Sequence, residues 1–302
     1  MNESPPAIRR FPRQHRSGRI AAAFVASLMA MAFAGCAGAL NAVTTGAGYR
    51  LVEDVAYAAG ARGTFDLYVP ESAGPNSPLV VFVHGGSWDM GDKDMYLFVG
   101  QSLASQGIIV AVPNYRLYPQ VTFPGFVEDG ASAVVAVDAM AREGRNGIPA
   151  GRHPLFLMGH SAGAQIAGLL STDARYLARA GGAIGRIAGF IGLAGPYDFL
   201  PLTEDRYKRV FPEPSREASQ PINFVDGDEP PMLLIAGSAD TTVDPQNTRL
   251  FAARLKAAGI PVTSRIVPGV DHIGAITSFA TALKLSDQSI RADVLAFIAA
   301  RS

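Results

Sequence analysis

Cysteine is almost missing from this chain: one residue, Cys36, in 302. A single cysteine excludes a disulfide framework within the chain and a cysteine-based zinc cluster. Net charge is missing as well, since 26 Lys+Arg balance 26 Asp+Glu. No basic surface is implied, so nucleic acid is not an expected partner. Histidines number only five and tryptophan only one, Trp88. That scarcity is useful, because a general base can be sought by elimination.

The charge balance is uneven along the chain. Residues 1–35 carry Arg9, Arg10, Arg13, Arg16 and Arg19 against one acid, Glu3. An apolar stretch from Ile20 to Phe33 follows, then Ala34-Gly35-Cys36. A basic start, a short apolar centre and small residues describe an export signal over 1–35. The stretch is too short and too alanine-rich for a comfortable membrane span. Small residues before a cysteine resemble a bacterial lipobox, which makes Cys36 a candidate lipidation site and a membrane anchor. Phe33 departs from that pattern, where leucine is usual. An ordinary signal cut after Ala34 or Ala39, with Cys36 incidental, is the alternative.

Residues 36–48 are small and read as a flexible tether. From 49 to 302 no linker or repeat interrupts the chain, so one domain of about 250 residues is expected. Segments 50–58 and 64–69 alternate like antiparallel strands. Continuous apolar runs at 79–83, 108–112, 155–158, 187–193 and 232–236 read as strands buried on both faces. Helical patterns at 94–105, 126–141, 162–171, 246–258 and 287–300 alternate with them, and 262–267 reads as a last strand. The expectation is an α/β fold: a mostly parallel, doubly wound sheet with antiparallel strands at its start. Residues 197–230 lack periodicity and are rich in proline, so loops and short helices forming a small cap over the sheet edge are expected.

Gly159-His160-Ser161-Ala162-Gly163 lies between an apolar strand and a helix, the setting of a nucleophile elbow. A serine hydroxyl needs a base to take its proton, and the base needs an acid to orient it. His15 falls in the signal, His160 adjoins Ser161 on a tight turn, and His153 precedes the strand and so lies at the far end of the sheet. His84 and His272 remain. His272 follows an apolar strand in Pro268-Gly269-Val270-Asp271-His272 and is the expected base, in a loop at the sheet's carboxyl edge. Asp240 ends Gly237-Ser238-Ala239-Asp240 after another strand and is the expected acid. Asp244, beside Pro245, is the nearest rival but suits a helix cap, and Asp198 is a weaker one. His84-Gly85-Gly86-Ser87-Trp88 follows the strand at 79–83, and its backbone N–H groups can serve a developing oxyanion. The N–H of Ala162 can add to them. His84 suits a hydrogen-bonded brace, and Trp88 either walls a pocket or fills core.

Over about 49–300 these motifs resemble the carboxylesterases of the α/β-hydrolase superfamily, of the hormone-sensitive-lipase-like and feruloyl-esterase-like branch. Asn114-Tyr115-Arg116-Leu117, Phe123-Pro124 and Glu128-Asp129 add to the likeness. The resemblance implies oxyanion donors at Gly86, Ser87 and Ala162, with Ser87 standing where the family has a third glycine. It also implies that Arg116 and Asp129 brace the site. Kynurenine formamidases share the His-Gly-Gly-x-Trp form, which keeps amide or formamide hydrolysis open, with peptidase chemistry on the same machinery. The expected substrate is a short to medium acyl or aryl ester, with neither a metal nor an organic cofactor required. The reading of another class is a non-catalytic, surface-anchored binding module on a hydrolase scaffold.

Overall fold

The computed structural model describes residues 37–302. The expected export signal and Cys36 lie outside the described residues. A first helix, α1, is described over 37–42. It packs: Leu40 is buried with Tyr49, Phe98 and Val99. The Asn41 side chain donates to the Asp94 carbonyl at 2.6 Å and accepts from the Phe98 N–H at 3.2 Å. The start of the segment expected as a flexible tether is therefore docked on the domain, because one leucine and one amide give it both apolar and polar partners.

Eight strands form one sheet in the order β1-β2-β4-β3-β5-β6-β7-β8. They are β1 (Tyr49–Ala56), β2 (Thr64–Pro70), β3 (Leu79–Val83), β4 (Ile109–Pro113), β5 (Leu155–His160), β6 (Ile187–Leu193), β7 (Met232–Gly237) and β8 (Val262–Val267). β1 and β2 pair antiparallel, β2 runs antiparallel to β4, and the pairings from β4 through β8 are parallel. The continuous apolar runs are the central strands, and they are apolar throughout because helices cover both faces. In β3 every side chain is buried. Leu79, Val81 and Val83 face one cluster, and Val80 and Phe82 face the other.

The covering helices are α2 (Leu97–Ala104), α3 (Gly125–Glu143), α4 (Ala162–Thr172), α5 (Ala174–Arg179), α6 (Asp205–Val210), α7 (Gln246–Ala257), α8 (His272–Thr277) and α9 (Ser289–Ala299). The core of α3, α4 and α7 fills one face; that of α2, α8 and α9 fills the other. The cap over the carboxyl edge is α6 followed by three short 3₁₀ turns between Glu213 and Phe224. Among the described residues no helix is long and apolar enough to cross a membrane.

Candidate active site

A parallel sheet delivers the carboxyl ends of its strands to one edge, and the loops there can share a site. β5 ends at His160 and α4 begins at Ala162, so Ser161 alone makes the turn between them. Its φ of 54° and ψ of −125° lie outside the ordinary regions for a residue with a side chain. Two contacts hold that geometry. The Ser161 N–H donates to the Leu193 carbonyl of β6 at 2.9 Å. The flanking glycines admit close backbone approach: a Cβ on Gly163 would stand 2.0 Å from the Val83 carbonyl, and one on Gly159 would stand 2.4 Å from the Gly163 carbonyl.

His272 and Asp240 reach this turn from β8 and β7. His272 opens the short helix α8, whose start is capped by Asp271 accepting from the Gly274 N–H at 2.6 Å. The sequence pattern placed it in a loop; the Asp271 cap turns that loop into a helical turn. Its Nε2 lies 2.9 Å from Ser161 Oγ and its Nδ1 lies 2.8 Å from Asp240 Oδ2. The other carboxylate oxygen of Asp240 accepts from the N–H groups of Thr242 and Val243, both at 2.9 Å. Burial opposes the charge on Asp240, but the His272 ring and these two N–H groups together hold its carboxyl below the usual range. The rivals go elsewhere. Asp244 accepts from the Gln246 N–H at 2.8 Å at the head of α7. Asp198 offers its N–H to Asn247 and has no contact with His272 among the described residues.

The other histidines have distinct partners. His160 is buried, and its Nε2 lies 3.0 Å from the His272 carbonyl. A carbonyl only accepts, so Nε2 carries the proton. Burial, then the charge of His272, lower His160 to about 3. His84 is lowered to about 4 by burial. Its Nδ1 donates to the Gly85 carbonyl at 2.8 Å, and its ring stacks on Tyr115 at 4.3 Å. His153 sits at the opposite end of the sheet, its ring nitrogens near the carbonyls of Ser77 and Pro149.

The turn after β3 faces the elbow. Gly86, Ser87 and Trp88 have φ of 126°, 52° and 63°, so three consecutive residues adopt left-handed backbone. The Tyr115 hydroxyl donates to the His84 carbonyl at 2.9 Å, and the Tyr118 N–H to the Trp88 carbonyl at 2.9 Å. Ala162 is the first residue of α4, so its N–H has no partner within the helix. Arg116 clasps Asp129 through Nε at 2.8 Å and Nη2 at 2.6 Å, which ties the segment after β4 to α3. Trp88 does both things left open for it. It packs among Phe126, Phe199, Tyr207 and Phe211, and it lines a cleft of about 280 Å³. Ser161, Ser87, Phe199, Tyr207 and Val243 line the same cleft.

No motif marked three residues that shape this cleft. Asn247 of α7 accepts from the N–H groups of Tyr197 and Asp198, both at 2.9 Å. Gln220 accepts from Phe199 N–H at 2.7 Å. Gln165 of α4 joins Trp88 to the cap. Arg206 of α6 also pairs with Asp89, just past the turn after β3. Among the described residues no group of histidine, cysteine, aspartate and glutamate is disposed to hold a metal.

A family model described as BD-FAE matches residues 65–255, which include the elbow, the turn after β3 and Asp240. The chain belongs to this BD-FAE family. Among curated relatives, a probable isoprenylcysteine alpha-carbonyl methylesterase of Arabidopsis thaliana is 30% identical over 243 residues, which are 72% of this chain and 56% of that protein. The chain spans a little over half the length of such plant relatives. A kynurenine formamidase of Salmo salar is 27% identical, over 74% of this chain and 75% of that protein. The crystal structure of esterase B from Lactobacillus rhamnosis superposes with a TM-score of 0.74 at 19% identity, covering 94% and 96% of the two chains. This BD-FAE member thus has the fold of the α/β-hydrolase carboxylesterases.

Proposed function

We propose that this protein is a serine hydrolase that cleaves short to medium acyl or aryl esters through an acyl-enzyme. The observation that carries the proposal is the unbroken chain Ser161 Oγ, His272, Asp240, with links of 2.9 and 2.8 Å. Asp240 accepts a hydrogen bond from the Nδ1–H of His272, which stays on the ring, and so leaves Nε2 free to take the Ser161 proton as Oγ attacks the carbonyl. The N–H groups of Gly86, Ser87 and Ala162 receive the oxyanion as it forms. His272 then returns its proton to the departing alkoxide. Water, deprotonated by the same imidazole, releases the acid.

Ser161→Ala tests this directly. Hydrolysis of p-nitrophenyl acetate should fall by about 10⁴-fold or more, with the circular dichroism spectrum unchanged. Near-full activity in that variant would remove Ser161 from the mechanism.

The second reading is formamide or amide hydrolysis on the same groups. It is favoured by the kynurenine formamidases, which match this chain over about three quarters of both lengths. A chain-length series of aryl esters run beside a formanilide separates the two. Export through 1–35 with acylation of Cys36 completes the proposal. Palmitate labelling of the wild type but not of Cys36→Ser supports the anchor, and equal labelling of both excludes it.

A further inference from the structure

The donors proposed for the oxyanion come from two different elements: the turn after β3, and the head of α4. Their relative placement has to hold to a fraction of an ångström for both to serve one oxygen. One side chain joins the two elements directly. Gln165 is the fourth residue of α4 and is fully buried. Its Oε1 accepts from the Trp88 indole at 2.9 Å, and its Nε2 donates to the Ser219 carbonyl of the cap at 2.7 Å. The orientation is forced by chemistry, because an indole N–H only donates and a carbonyl only accepts.

Trp88 needs such a partner. It and Ser87 sit consecutively in left-handed backbone without being glycines, a conformation that a chain leaves unless something holds it. Phe199, Tyr207 and Phe211 crowd the indole, but apolar packing does not set the direction of the N–H. The hydrogen bond to Gln165 does. We propose that Gln165 is a positioning residue: its amide fixes Trp88, and with it the oxyanion turn, to the helix that carries the nucleophile, and its second hydrogen bond seats the cap on both. The proposal rests on the ester-hydrolase reading above.

The test compares wild type, Gln165→Met, Gln165→Glu, Trp88→Phe and the Trp88→Phe/Gln165→Met double variant. Turnover is expressed per active site, counted by labelling with a fluorophosphonate, so that misfolded protein does not enter the rate. For Gln165→Met, kcat should fall by about 10- to 100-fold. KM should stay within about twofold, since a donor aimed at the oxyanion acts in the transition state. Binding of a trifluoromethyl ketone, whose adduct carries the oxyanion, should weaken in step with kcat. The fluorescence of Trp88, the only tryptophan in the chain, should shift in Gln165→Met. Gln165→Glu keeps an acceptor for the indole and should recover part of kcat. Once Trp88→Phe has removed the indole N–H, adding Gln165→Met should cost little more. A Gln165→Met protein with lowered Tm but wild-type kcat per labelled site overturns the proposal, and so do independent, multiplying losses in the double variant. A wild type that takes no fluorophosphonate label is a different failure, and strikes the serine-hydrolase reading itself.

Discussion

At Asp240 two opposed effects act on one carboxylate. Burial disfavours its charge, yet the His272 ring and two backbone N–H groups keep it ionised. Asparagine there presents an amide where the imidazole needs an acceptor, so His272 is held in the wrong tautomer. Asp240→Asn should lower kcat by about 10⁴-fold, whereas Asp244→Asn, whose carboxylate lines the cleft but bonds the Gln246 N–H and not His272, should stay within about threefold. Steady-state kinetics on the pair decides between them. His160 supports a prediction on stability. It is lowered from 6.5 to about 3, so it stays neutral in the fold while the unfolded chain binds a proton below about pH 6.5. The unfolded state then holds more protons, and stability declines as pH falls from about 6.5 toward 3. His84 adds to the same decline. His160→Asn keeps an amide donor without a titrating ring, so its Tm should fall less steeply between pH 7 and 4.5 than that of wild type. Ser161, His272 and Asp240 are legible because each comes shortly after a segment that reads as a strand, and elimination among five histidines leaves few choices. Gln165 is not, because a glutamine on a helix carries no motif and acquires its meaning only from two partners 77 and 54 positions away.

Among the elements, the nucleophile turn shows how little room the fold allows. Adding a methyl group at Gly163 sets a carbon 2.0 Å from the Val83 carbonyl, and neither β3 nor α4 can shift without moving the site. Gly163→Ala should lose about 1–3 kcal/mol in urea unfolding, together with activity. In β3, Phe82 is wholly buried, and Phe82→Ala should cost about 3–5 kcal/mol by the same measurement. The buried strands were legible to within a residue or two, since being covered on both faces writes itself as unbroken apolar runs. Helices α5 and α8 have no counterpart in the sequence pattern, whereas α6 is one of the short helices expected in the cap but without a place of its own there. Each has six residues, too short for a period to emerge, and each exists through its docking. α6 is tied by Val210 accepting from the Phe123 N–H and by Arg206 pairing with Asp89.

In the molecule as a whole, the segment before β1 has more weight than its small residues suggested. Removing residues 1–44 deletes Leu40 and Asn41 and uncovers part of α2. The loss should be about 1.5–3 kcal/mol for the leucine, visible as a lower Tm than that of a protein beginning at residue 37. A tether was the natural expectation from alanine, glycine and threonine, because two anchoring side chains among them leave no periodic trace. The docking also has a geometric effect. α1 grips the head of α2 through Asp94 and Phe98, a few residues past the turn that holds Gly86 and Ser87. The chain leading into β1 is therefore fastened, before the sheet begins, to the segment that follows the turn after β3. β1 is an edge strand of the sheet, and an edge strand whose entrance is under restraint frays less readily from that end.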